Sequence, residues 1–196
     1  MSVTTATNRA ETRGRAAGAA ILAYFALAWA GWGVSTGVPA AVEIPVMVVA
    51  GLCFVALAVG TVVVFRAART RPPGDMDRRA GRAIGRRFGL VVLAEFAVIA
   101  VVARLLAAFG HEELIPAFVC LAVGVHFFPL RRLFAVPMYD ATGAALCAIA
   151  VITAPAVLLL GAPVLWTALP GFASAIVLNA NSVLLLRSQW PARRQA

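Results

Sequence analysis

The sequence predicts an all-α polytopic membrane protein, a bundle of six transmembrane helices. Three observations carry that reading. Of 196 residues, 62% are hydrophobic and 13% charged, a balance too apolar for a soluble globule. The apolar residues fall into six stretches, 16–34, 43–65, 88–110, 114–130, 141–160 and 163–186, each close to the 20 or so residues that cross a bilayer. The basic residues are all arginines, and all but Arg104 sit in four short blocks between or beyond these stretches. The runs lack the period-two alternation of barrel strands, so helices must satisfy the backbone.

The first stretch follows a polar tail, 1–15, that contains Arg9, Arg13 and Arg15, and it ends near Trp29 and Trp32, which suit an interfacial belt. A basic lead, an apolar run and Ala28-Trp29-Ala30 also match a cleaved signal sequence. The run is longer than a signal core, and retention is the expectation. The second stretch opens on Glu43 and runs into "RAARTRPPGDMDRRAGRAIGRR" (66–87). Its Pro-Pro-Gly punctuation marks a loop, and its arginines (Arg66, Arg69, Arg71, Arg78, Arg79, Arg82, Arg86 and Arg87) mark the cytoplasmic side. Such a loop also attracts anionic lipid headgroups, at about 1 kcal/mol per arginine.

The third stretch carries Glu95 and Arg104, and the fourth carries His126 and Pro129 ahead of Arg131 and Arg132. Tyr139 and Asp140 stand just before the fifth. The sixth holds Asn179 and Asn181 ahead of Arg187, and the tail 188–196 adds Trp190, Arg193 and Arg194. The three other connections carry no basic residue. Six spans therefore place both termini in the cytoplasm, with the inner membrane of a bacterium as the expected location.

The net charge of +9 is then a topology signal, and no motif or aromatic-basic surface accompanies it that would suit nucleic acid. Cys53, Cys120 and Cys147 lie inside apolar stretches with no close spacing. They read as small buried hydrophobes rather than a disulfide or zinc set. Nucleotide-binding glycine loops, nucleophile contexts and metal motifs are missing. No catalytic residue, metal ligand or cofactor is assigned.

The chain hints at repetition. "ILAYFALA" (21–28) resembles "VLAEFAVI" (92–99), and "LAVG" recurs at 57–60 and 121–124, with "LNAN" (178–181) in the same place before an arginine. Three helical hairpins built to one plan are the expectation, with Tyr24 matching Glu95, Ala58 matching Asn179 and Gly60 matching Asn181.

Ionisable groups at depth face a bundle interior. From the rise per residue, Glu95 lies roughly 12 Å beyond Arg87 and His126 roughly 7–8 Å from Arg131. Asn179 and Asn181 lie roughly 12 and 9 Å from Arg187. All four fall in the cytoplasmic half, where Tyr139 and Asp140 cover the same region. The third and fourth stretches share a tight connection, so Glu95 and His126 are expected to meet, with one of the two asparagines as a further partner. Arg104, near the outer surface, has Glu43 as its candidate partner, and Glu112 or Glu113 as others.

The segment G-V-H-F-F-P-L (124–130), followed by Phe134, Pro137, Tyr139 and Thr142-Gly143, resembles a family of small six-helix bacterial integral membrane proteins. The resemblance covers about a tenth of the chain by these residues. It implies the six-helix fold and no activity or ligand.

Three function classes stay open on these residues. The first is carriage of a small solute or ion through a proton-responsive site at Glu95 and His126, with a homodimer completing the pathway. The second is a structural or accessory membrane subunit whose polar residues only join helices. The third is a membrane-embedded enzyme.

Overall fold

The computed structural model describes residues 9–35, 37–70 and 78–189, with side chains from residue 83 onward in the last segment. Arg71, Trp190, Arg193 and Arg194 lie outside the described residues, as do the side chains of Arg78, Arg79 and Arg82. The described residues form six long helices: α1 (Arg9–Val34), α2 (Ala40–Ala67), α3 (Arg78–Ala108), α4 (Ile115–Phe134), α5 (Met138–Leu160) and α6 (Leu165–Arg187). Each contains a segment long and apolar enough to cross a membrane.

Several helices run past their apolar stretch at the arginine-bearing end. Arginine is a good helix former, and a Glu11–Arg15 pair at 2.7 Å supports the first turns of α1. For the same reason 66–87 is not one long loop. α2 continues to Ala67, a 3₁₀ turn covers Ala68–Thr70, and α3 already begins at Arg78. Likewise Tyr139 and Asp140 belong to the first turn of α5 rather than preceding it.

The connections are short and locally specified. After α3, Gly110 takes a left-handed conformation (φ 75°). His111 N–H then bonds the Leu106 carbonyl and Gly110 N–H that of Ala107, a Schellman ending. Ala135 closes α4 in the same left-handed region (φ 52°), immediately before Val136 and Pro137.

Packing is organised as two helix triangles that share α6. One is α1, α2 and α6; the other is α4, α5 and α6; α3 is added against α4, and among the described residues its backbone comes close to no other long helix. The α1–α6 interface is the most extensive. Ala16, Ala19, Ala23, Ala26, Ala30 and Gly33, spaced alternately by three and four, form its buried stripe on α1. Small side chains on such a stripe let two backbones approach closely. The approach is tightest at Gly171, where an added methyl would overlap the Gly33 backbone. A methyl on Gly124 of α4 would likewise meet Cys147 Sγ of α5 at 2.7 Å, and one on Gly143 the Gly124 carbonyl at 2.7 Å.

This packing departs from three hairpins of one plan. α1 is central and α3 peripheral, although "ILAYFALA" and "VLAEFAVI" are alike. Tyr24 points outward, 59% exposed, whereas its counterpart Glu95 turns toward α4. Trp29 is buried within the bundle and stacks on Trp32 at 5.3 Å.

The described arginine-rich ends gather on one side of the bundle. Arg9 of α1 donates to the Arg69 carbonyl just beyond α2 (2.8 Å). A methyl on Gly18 would touch both the Tyr139 hydroxyl and Leu185, which brings the start of α5 and the end of α6 to the same place.

A carboxylate–imidazole pair in the seam between α3 and α4

α3 and α4 run antiparallel, joined by a tight turn that ends in a 3₁₀ turn, Glu112–Leu114. That register sets Glu95 opposite His126. Glu95 Oε2 lies 3.1 Å from His126 Nδ1, with side chains only 14% and 10% exposed. The contact has ion-pair distance but not hydrogen-bond alignment, and Nδ1 has no hydrogen-bond partner among the described residues. One helical turn from Glu95 stand Val91, Val92, Val98 and Ile99, and one turn from His126 stand Ala122, Val123 and Leu130, all apolar. The pair is therefore an ionisable couple confined to a narrow apolar interface. Between them the two groups hold zero, one or two protons. Only the one-proton state is net neutral, and a low-dielectric site favours it over either charged alternative.

The remaining candidates do not join this pair. Among the described residues the backbones of α3 and α6 stay apart, and no hydrogen bond joins either asparagine to Glu95. Asn181 is buried and donates from Nδ2 to Thr142 Oγ1 of α5 at 2.8 Å. Asn179 Oδ1 is buried with no hydrogen-bond partner among the described residues. Two residues apart on a helix, the side chains point to different neighbours. Tyr139 is buried edge-on against Phe127 at 5.4 Å. Asp140 is half-exposed and holds Arg131 at 2.9 Å across the α4–α5 turn.

The expected outer pair does not form either. Glu43 lies on α2 and Arg104 on α3, and these two helices occupy opposite flanks of the bundle without contact. Glu113 instead approaches His111, at 3.4 Å, and no ion pair to Arg104 occurs among the described residues. Depth along the axis was compatible with the pairing, but the order of helices around the bundle was not.

A second set of polar contacts runs through the bundle centre; sequence reading took Cys120 as a small buried hydrophobe and did not single out Ser174 or Ser182. Cys120 Sγ lies 3.2 Å from both the Leu146 carbonyl and Ser174 Oγ, joining α4, α5 and α6. Ser182 Oγ donates to the Ala19 carbonyl at 2.8 Å, joining α6 to α1. Ser174, Ser182, Gly171 and Ala175 share a buried face of α6. With Leu178 on the same face, Gly171, Ala175, Leu178 and Ser182 follow at steps of four, three and four, a signal present in the sequence. No group of three or more His, Cys, Asp or Glu residues suited to a metal occurs among the described residues.

At the arginine-bearing end the seam widens into a groove of about 630 Å³. Its lining includes Val91, one turn from Glu95, and Pro129, three residues from His126. Pro129 has no N–H to offer the Val125 carbonyl one turn back. No protein family, curated protein or solved structure matches this chain.

Proposed function

We propose that the chain is a multi-pass membrane protein, with its arginine-bearing end in the cytoplasm, that moves a small solute or ion using Glu95 and His126 as a proton-responsive site. The observation that carries this is the 3.1 Å carboxylate–imidazole contact within an apolar seam, one helical turn beyond an open groove. Ionisable side chains are costly at such depth and mark proton or ion paths when they occur. The groove supplies access for a proton from the cytoplasmic side. Gain or loss of a proton leaves an uncompensated charge between α3 and α4. Because the described part of α3 has its backbone close to α4 and to no other long helix, that charge acts on a helix that can shift without parting another backbone interface. The α1–α6 and α4–α5 interfaces close backbone to backbone, so the pathway belongs at the α3–α4 seam, completed on its open face by lipid or a second copy.

The test is proton movement itself. Purified protein is sealed into vesicles with a pH-sensitive dye inside, and a membrane potential is imposed. The native chain is expected to acidify or alkalinise the lumen, and Glu95→Gln and His126→Ala are each expected to abolish the flux while remaining monodisperse. Flux that is absent from the native chain, or unchanged in both variants, defeats the transport reading.

A second reading has its own support. The Cys120–Ser174, Asn181–Thr142 and Ser182–Ala19 contacts and the glycine pairs describe a filled bundle. An accessory subunit needs no more than that. On this reading the same two variants lower thermal stability in detergent and change no flux.

A further inference from the structure

Arg131 and Arg132 are adjacent in sequence but face different partners. Arg131 is held by Asp140 at 2.9 Å, while Arg132, a hundred degrees further round the helix, turns into the groove shared with α3. Arg87 lines the same groove from α3. Both side chains are exposed, and neither has a carboxylate within ion-pair distance among the described residues. The groove walls beside them are apolar: Leu90 and Val91 on α3, Phe128 and Leu133 on α4. Two guanidiniums with no carboxylate partner among the described residues, beside an apolar slot, form an amphiphilic site, cationic at the rim and hydrocarbon-like within.

We propose that this groove holds one anionic glycerophospholipid of the cytoplasmic leaflet. Its phosphate lies between Arg87 and Arg132, and one acyl chain lies against Leu90, Val91, Phe128 and Leu133. Guanidinium groups suit phosphate oxygens because their paired N–H donors match the oxygen spacing. The apolar walls select a lipid over a free anion, which has nothing to place there. Among the described residues no long helix other than α4 has its backbone close to α3 on this flank, so a lipid enters sideways without parting the bundle. Such a lipid bridges the two helices one turn from Glu95 and His126 and steadies the loosest helix interface. The assignment rests on the membrane reading and is independent of transport.

The experiment is native mass spectrometry of the full chain in detergent, with added phosphatidylglycerol or phosphatidylcholine. One phosphatidylglycerol is expected to be retained in preference to phosphatidylcholine, a comparison made on the unaltered protein. Arg87→Gln with Arg132→Gln should weaken that retention roughly thirtyfold, the loss of two arginine–lipid contacts. Arg86→Gln with Arg104→Gln removes the same charge and should leave it unchanged. Leu90→Trp, which fills the slot and keeps both arginines, should also expel the lipid. Equal weakening by both double variants, equal retention of the two lipids, or displacement by inorganic phosphate alone overturns the proposal. A chain that is soluble and monodisperse without detergent would instead defeat the membrane reading beneath it.

Discussion

Gly171 shows how much one missing methyl group matters in this bundle. Its Cα side faces the Gly33 backbone and the Trp29 carbonyl, with no room for a side chain. Gly51, on α2, has nothing within 4 Å of the same position. Gly171→Ala is therefore expected to lower stability by roughly 1–3 kcal/mol, the usual cost of overfilling a close-packed contact. Gly51→Ala should be neutral or slightly stabilising, since it lowers backbone entropy in the unfolded chain. Thermal unfolding of both variants in one detergent checks the contrast; equal midpoints would refute the close approach of α1 and α6. At this scale Glu95 and His126 were legible, because ionisable groups stand out in apolar sequence and their depth follows from helical rise. Cys120, Ser174 and Ser182 were harder to see. Small, weakly polar residues resemble the alanines around them until a partner helix is specified.

Among the helices, α1 and α3 show the greatest contrast. α1 lies against α6 and α2, with ten buried residues, whereas the described side chains of α3 have none buried. A basic lead and an apolar core make α1 look removable, but its alanine stripe is the surface on which α6 packs. We expect the mature chain to retain it. N-terminal sequencing of protein from the membrane fraction should find residues ahead of Ala16, and a chain started at residue 35 should fail to give monodisperse protein. A mature start near Gly31 with an intact bundle would contradict this. Helix existence was readable from composition and length, but the helix starts were not. Arginine continues a helix readily, so polar leads such as 78–87 extend α3 rather than forming a loop.

The described arginine-rich helix ends lie on one side of the bundle, and on the positive-inside tendency that side is expected to face the cytoplasm. Reporter fusions in the 66–87 segment and at either terminus are expected to read as cytoplasmic, and fusions at 110–113 as external. An external 66–87 segment would reverse the orientation and with it the leaflet assigned to the lipid site. The six apolar helices follow from the sequence alone, because their number and approximate limits depend on local composition set against helix rise. The same local rule placed Glu95 level with His126, and a tight turn made their helices neighbours. Only the tertiary structure decided that α1 pairs with α6, that α3 stands apart from α2 and α6, and that Asn181 meets Thr142 while Glu43 never meets Arg104. Sequence reports position along a helix axis. Which helices adjoin around the bundle is settled by competition among many small-residue faces, and that depends on all six helices packing at once.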